Sequence, residues 1–264
     1  MEELVNAAET NDLDKLRHYL DLERAQNPQL SKEMYKSTAA MRAACHAAAR
    51  NNHPAALDIL LDSGCWIDRA SIAGSKEVFD SLIARGWDIN SRVGYRGDAL
   101  MISAEIDNLD MIQFLLSRGA DPNANYSGGM FRALEVAAFH ASVPVLDALL
   151  NSGAVLKGRS ALCNAAEQGR TDVVAYLLDR GAAINDIPDN PDILSNALKI
   201  GVKNALCEAA WRGQPAAVKL LLERGADTSV KDTNGRSALE LAEMEGHESC
   251  ISILKEYARV KSEE

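Results

Sequence analysis

Five histidines, five cysteines and 38 acidic residues are the groups in this 264-residue chain that could do chemistry, and their spacing decides what they can do. No Gly-rich phosphate loop, Gly-x-Ser-x-Gly elbow, His-Glu-x-x-His helix or calcium loop occurs in the sequence. Gly128-Gly129 is a bare turn. In the series Asp186, Asp189 and Asp192, Pro188 and Pro191 are interleaved and no closing Glu follows at ligand spacing, so it reads as a solvated acidic loop. Cys45, Cys65, Cys163, Cys207 and Cys250 are odd in number, widely spaced and free of any Cys-x-x-Cys pair. That pattern predicts a reducing compartment and neither a disulfide framework nor a zinc site. No metal and no cofactor is expected. Glu105, Glu167 and His140 are left as the groups that could converge into an acid/base site if neighbouring structural units brought them together.

The charge narrows the partners. With 28 Lys+Arg against 38 Asp+Glu the net charge is −10, which opposes binding to a phosphate backbone. No apolar run reaches the roughly 18 residues of a membrane helix. The start, Met1-Glu2-Glu3-Leu4-Val5-Asn6, is acidic where a secretory signal would be basic and then apolar. A cytoplasmic or nuclear location, with no nucleic acid and no membrane as partner, is the expectation.

What must position these residues is a repeat. A Leu-Leu pair, two residues and a Gly recur at Leu60-Leu61 to Gly64, Leu115-Leu116 to Gly119, Leu149-Leu150 to Gly153, Leu177-Leu178 to Gly181 and Leu221-Leu222 to Gly225, with Leu82-Ile83 to Gly86 as a sixth copy. Successive glycines stand 22, 33, 34, 28 and 44 residues apart, scattering about a period near 33. An Ala pair or its variant opens a short apolar helix upstream of most copies: Ala48-Ala49, Ser103-Ala104, Ala137-Ala138, Ala165-Ala166 and Ala209-Ala210.

Residues 158–182 show the physics of one unit. Ser160 is placed to cap a first helix, small Ala165 and Ala166 permit close helix approach, and Gly169 lets the chain reverse. Val174, Leu177 and Leu178 follow the i, i+3, i+4 spacing of one buried face. Arg180 stands in the last turn and Gly181 supplies a positive φ at the helix end. Neither helix could bury its apolar face alone, so stacked neighbours must do it.

These residues resemble the ankyrin repeat, whose pattern is Gly-x-Thr-Pro-Leu-His-x-Ala-Ala-x-x-Gly-His followed by Val-x-x-Leu-Leu-x-x-Gly-Ala-Asp-x-Asn. Gly119-Ala120-Asp121-Pro122-Asn123 and the run from Gly225 to Leu239 are the closest copies. The variants Arg85 to Asn90 and Gly235 to Glu240 look most like ankyrin proteins of filamentous fungi. The resemblance implies an all-α solenoid of seven to eight helix-turn-helix units with hairpin or finger loops, about 2–40, 41–68, 69–92, 93–125, 126–156, 157–202, 203–231 and 232–258, then a tail at 259–264, all in one domain. Residues 186–202 read as a finger insert with a helical turn near its end, residues 21–40 as a similar excursion. The unit from Gly74 to Gly86 is too short for a full first helix. The pattern's Pro is replaced by Ala44, Ala99, Ala133, Ala161, Ala205 and Ala238.

The resemblance also sorts the chemistry. His46, His53 and His247 take structural positions, Cys163 and Cys207 replace a pattern His, and His140 falls on the exposed inner surface. Ankyrin proteins generally hold other proteins on that surface and on the tips, which implies a protein-interaction scaffold; a small-molecule binder or enzyme using the same groove is the alternative. By position the inner sites include Phe139, His140, Trp211 and Arg212, with Phe139, Trp211 and Arg212 of the types that dominate interfaces. Phe131, Tyr95 and Tyr126 lie on neighbouring tips, where they serve a partner or pack between fingers. Trp66 and Trp87 read as packing residues. Tip cations Arg42, Arg159, Lys203 and Arg236, with Arg96 and Arg132 beside the remaining tips, form a candidate basic lane for an acidic or phosphorylated segment, or else pair with neighbouring acids.

Overall fold

The computed structural model describes residues 2–26, 39–64, 76–91, 97–124, 132–156, 160–188 and 202–263. Among them are fifteen helices and no strand: α1 (Glu2–Glu9), α2 (Leu13–Gln26), α3 (Ala39–Arg50), α4 (Pro54–Asp62), α5 (Lys76–Ala84), α6 (Ala99–Glu105), α7 (Leu109–Ser117), α8 (Ala133–His140), α9 (Val143–Asn151), α10 (Ala161–Glu167), α11 (Thr171–Asp179), α12 (Ala205–Trp211), α13 (Pro215–Glu223), α14 (Ala238–Glu245) and α15 (Glu248–Glu263). The chain divides into two compact units, Met1–Ser103 with Ser117–Ala120, and Ala104–Leu116 with Asp121–Glu264. Most of the finger insert, the entry to the short unit and the bulk of the early excursion lie outside the described residues. The first part of that excursion is helix, because α2 continues to Gln26.

In the first unit α1 lies against α2 and α3, and α4 against α2, α3 and α5. Leu4, Ala8, Leu16, Leu20, Met41, Ala48, Leu57, Leu60, Val78 and Phe79 form its buried interior. His53 Nε2 meets the Glu9 carbonyl at 3.0 Å, the structural role expected of it. Trp87 packs on Phe79 with ring centroids 5.6 Å apart. Cys45 is buried and disulfide-bonded, contrary to the expectation of uniformly reduced thiols.

In the second unit the first helices of successive pairs, α8, α10, α12 and α14, pack in series, and so do the second helices α9, α11, α13 and α15. Small residues make the first series possible: Ala137, Ala138, Ala165, Ala166, Ala209, Ala210 and Ala242 are all fully buried. Val145, Leu146 and Leu149 on α9, Val173, Val174 and Leu177 on α11, and Ala217, Val218 and Leu221 on α13 fill the layer beneath. Leu178 is only half-buried; the inward face of α11 is Val173, Val174 and Leu177, one position earlier than the spacing implied. Gly181 has φ +91 and turns the chain out of α11 as expected. Ser160 precedes α10 without a side-chain cap bond, whereas Asn204 Oδ1 accepts from the Cys207 N–H at 2.8 Å and Ser237 Oγ from that of Glu240 at 3.2 Å.

The second helices are laced by charge from one pair to the next. Arg180 reaches Asp147 at 2.8 Å and Asn151 Oδ1 at 2.7 Å, and Arg224 reaches Asp179 at 2.7 Å. In the first unit Arg85 bonds Asp58 at 3.0 Å and Asp62 at 2.6 Å, and Arg118 bonds Asp80 at 2.8 Å. Acids on the second helices are thus engaged by arginines at the ends of the following ones.

Candidate functional site

The residues that follow each Ala pair in the second unit stand at the C-terminal ends of first helices, where side chains project past the packed alanines. Phe139 and His140 end α8, Glu167 ends α10, Trp211 and Arg212 end α12, and Glu245 ends α14. Phe139 is half-buried with His140 exposed beside it, their rings stacked at 5.7 Å.

Trp211 is the best-supported side chain of the group. Its half-buried indole has the Lys203 ammonium 3.7 Å and the Arg212 guanidinium 4.2 Å from the ring centroid, both inside cation–π range. Its Nε1–H donates to Glu245 Oε1 at 3.1 Å. Arg212 is in turn tied to Glu167 Oε1 at 2.5 Å. Three successive first helices therefore converge on one indole and one guanidinium. The carbonyl of Trp211 is itself taken by His247 Nε2 at 3.0 Å.

Beneath this surface lies a charged layer. The Lys203 side chain is 1% exposed and its Nζ stands 3.8 Å from Glu208 Oε1. Burial pulls the Lys203 ammonium below its ordinary range, with the facing Glu208 opposing that pull. Burial likewise drives the Glu208 carboxyl up to about 7, against the opposing attraction of Lys203. Glu208 Oε2 is buried without a hydrogen-bond partner. Asp232 is also buried, which by itself would raise its pKa; hydrogen bonds from the Arg236 side chain and backbone outweigh that and hold the carboxyl below the usual range. Burial pushes the Cys163 thiol up and Cys207 up to about 12, so neither is a reactive thiolate.

The tip cations do not form one class. Lys203 is buried under Trp211 and offers no solvent-facing charge, because the indole and Glu208 hold it inward. Arg236 bonds Asp232 at 2.6 Å. Arg132 is half-buried at the start of α8, its backbone N–H donating to Glu135 Oε2 at 2.5 Å. Arg42 is exposed but stands in the first turn of α3, not on a tip. Arg96, Arg159, Phe131, Tyr95, Tyr126 and Trp66 lie outside the described residues. Of the acid/base trio, Glu167 is engaged by Arg212, His140 lies on Phe139, and Glu105 ends α6 half-buried. Among the described residues no cluster of metal-binding side chains occurs and no helix is long and apolar enough to cross a membrane.

Glu208 and Glu245 were not singled out from sequence. A signal for Glu208 existed: the same place in the other first helices is held by Val136, Asn164 and Leu241, so a glutamate there had to be carried by a neighbour.

Helix pairs stacked on alanine seams, with recognition-type side chains at the ends of the first helices, define a helical-repeat protein. The sequence matches the family described as "Ankyrin repeats (3 copies)" over residues 67–157 and 206–264, and "Ankyrin repeat" over 157–190; the chain belongs to the ankyrin-repeat family. It is 30% identical over 115 residues to "Ankyrin repeat, SAM and basic leucine zipper domain-containing protein 1" of Ornithorhynchus anatinus, a match covering 44% of this chain and 23% of that protein.

Proposed function

We propose that the second unit binds a protein partner on the surface formed by the ends of α8, α10, α12 and α14, with Trp211 as its anchor and Arg212, Phe139 and His140 around it. Ankyrin repeats are generally protein-interaction modules, and the observation that carries this reading is the fixing of Trp211. An aromatic residue whose faces and N–H are held before a partner arrives loses little further freedom on binding, and tryptophan and arginine head the residues that concentrate binding energy. Phe131 and Tyr126 of the second unit and, taken separately, Tyr95 of the first are further proposed partner contacts, and an acidic or phosphorylated segment is the partner proposed for Arg132, Arg159 and Arg236 of the second unit and, separately, for Arg42 and Arg96 of the first. Lys203 enters this reading as a support for Trp211 instead of a contact. A scaffold role in cytoplasm or nucleus belongs to the same proposal. Proximity labelling with the wild type and with Trp211→Ala tests the reading: a partner enriched with the first and lost with the second supports it, and an identical partner set contradicts it.

A further inference from the structure

We propose that the carboxyl of Glu208 is a proton-operated latch on the Trp211 anchor: ionised, it holds the Lys203 ammonium across the indole, and protonated, it lets that ammonium go. The inference rests on the reading of Trp211 as an anchor only where it concerns partner affinity; the latch itself belongs to the free protein.

The Lys203 ammonium bridges Glu208 and Trp211. Lys203 Nζ lies 3.8 Å from Glu208 Oε1 and 3.7 Å from the centroid of Trp211. The Lys203 side chain is 1% exposed and that of Glu208 17%. An ammonium so deeply buried keeps its charge only opposite a negative one. Glu208 Oε2 finds no hydrogen-bond partner, so the carboxyl lacks the donors that would otherwise lock it in its ionised form.

The surrounding charges leave Glu208 as the group free to change. From α10 it is faced by Glu167, which is committed to Arg212 of α12's end at 2.5 Å, and from the turn before α14 by Asp232, committed to Arg236 at 2.6 Å. Each of those acids carries its own cation, so their fields are largely cancelled. Cys163 on α10 and Cys207 on α12 also face it, and burial keeps both thiols protonated. Burial is the largest influence on Glu208 itself and places its titration near 7, where a modest acidification changes its state. When the carboxyl takes its proton, the buried ammonium faces a neutral acid, the cation–π contact loosens and the indole gains freedom. Partner affinity at Trp211 then falls as the solution is acidified.

The test uses the full chain, uniformly labelled with nitrogen-15 and without any partner. The indole N–H resonance of Trp211, assigned by its loss in Trp211→Phe, is followed from about pH 5 to about pH 9. The expected result is a one-proton titration with a midpoint near 7. Glu208→Gln should hold the resonance at its low-pH position throughout. Lys203→Met, which keeps the carboxyl and removes the ammonium, should also hold it near that position. His247→Gln controls for the imidazole that bonds the Trp211 carbonyl; Gln214 occupies the matching place one pair earlier and bonds the Glu167 carbonyl at 3.1 Å, so the exchange has a local precedent and should leave the titration intact. A Trp211 signal that ignores pH in the wild type, that titrates unchanged in Glu208→Gln, or that stops titrating only in His247→Gln overturns the latch. A titrating Trp211 whose removal leaves partner binding unchanged would keep the latch and remove the anchor, so the two readings fail separately.

Discussion

His247 Nε2 stands 3.0 Å from the main-chain oxygen of Trp211, joining the loop before α15 to the end of α12 in the preceding helix pair. The same reach recurs where His53 meets the Glu9 carbonyl at 3.0 Å and Gln214 donates to the Glu167 carbonyl at 3.1 Å. The last carbonyls of a helix have no partner within it. In this chain the residue just ahead of a second helix supplies one from the next pair, so the ends of first helices are fixed only when neighbours are in place. Gly213 sits inside this joint with φ +66, and a Cβ there would lie 2.6 Å from His247 Nδ1. Gly213→Ala should therefore cost about 1 to 3 kcal/mol, combining an unfavourable φ with displacement of the imidazole. Urea unfolding checks this, and an unchanged midpoint would show that the joint carries no stability.

Arg170 occupies the equivalent place ahead of α11 and serves three carbonyls of the preceding pair, Ala137 at 3.3 Å, Ala138 at 3.2 Å and Ala141 at 2.5 Å. Removing it takes the side-chain donor from the Ala138 and Ala141 carbonyls, while the Ala137 carbonyl still accepts from the Ala141 N–H, so Arg170→Ala should cost about 1.5 to 3 kcal/mol. Arg180→Ala breaks contacts to Asp147 and Asn151 at the surface and should cost about 1 kcal/mol or less. Parallel denaturant titrations compare them; the reverse ranking would mean that the outer charge ladder, and not the carbonyl joints, couples the pairs.

Leu177 is fully buried between α11 and its neighbours, and Leu177→Ala should cost about 2 to 5 kcal/mol. Leu178→Ala should cost distinctly less, because that side chain already meets solvent in part. Equal losses would place both leucines in the core.

The difference between those two leucines shows what was legible in the sequence. The Leu-Leu and Gly spacing reveals the helix pairs and their order, since each pair must bury one stripe and end at one turn. It does not fix which leucine faces inward, because adjacent helical positions differ by about 100° of rotation and stacking angle decides between them. Ser160 looks like a cap and makes no cap bond, because its own backbone (φ −82, ψ 0) lies outside the extended region a capping residue adopts. Trp211 was visible as an interface-type residue at an inner position. Its supports were not: Lys203 reaches it from a loop and Glu245 from the next first helix, and their spacing along the chain carries no trace of that meeting. Lys203 in particular reads as a solvated tip cation until the indole above it is placed.

Acid–base linkage gives the buried pair a signature in stability. The folded-state pKa of Glu208 is raised to about 7 from an ordinary 4.5, so the folded chain holds a proton that the unfolded chain has released in that window. Its contribution is fully present below the ordinary value and is lost as pH rises through about 7. Asp232 has the opposite sign: its folded-state pKa is depressed, so its contribution is present above the ordinary 3.8 and disappears as pH falls through the lower folded value. Between about pH 5 and about pH 8 the wild type should therefore lose stability relative to Glu208→Gln. Urea titrations at the two pH values measure the slope, and identical slopes would remove Glu208 from the account.

Calorimetric affinity for a partner recovered by proximity labelling shows whether Trp211 anchors a protein. Trp211→Ala should weaken binding by about 2 kcal/mol or more, roughly thirtyfold, while circular dichroism shows the helical fold retained. A variant that binds as tightly as the wild type would contradict the account.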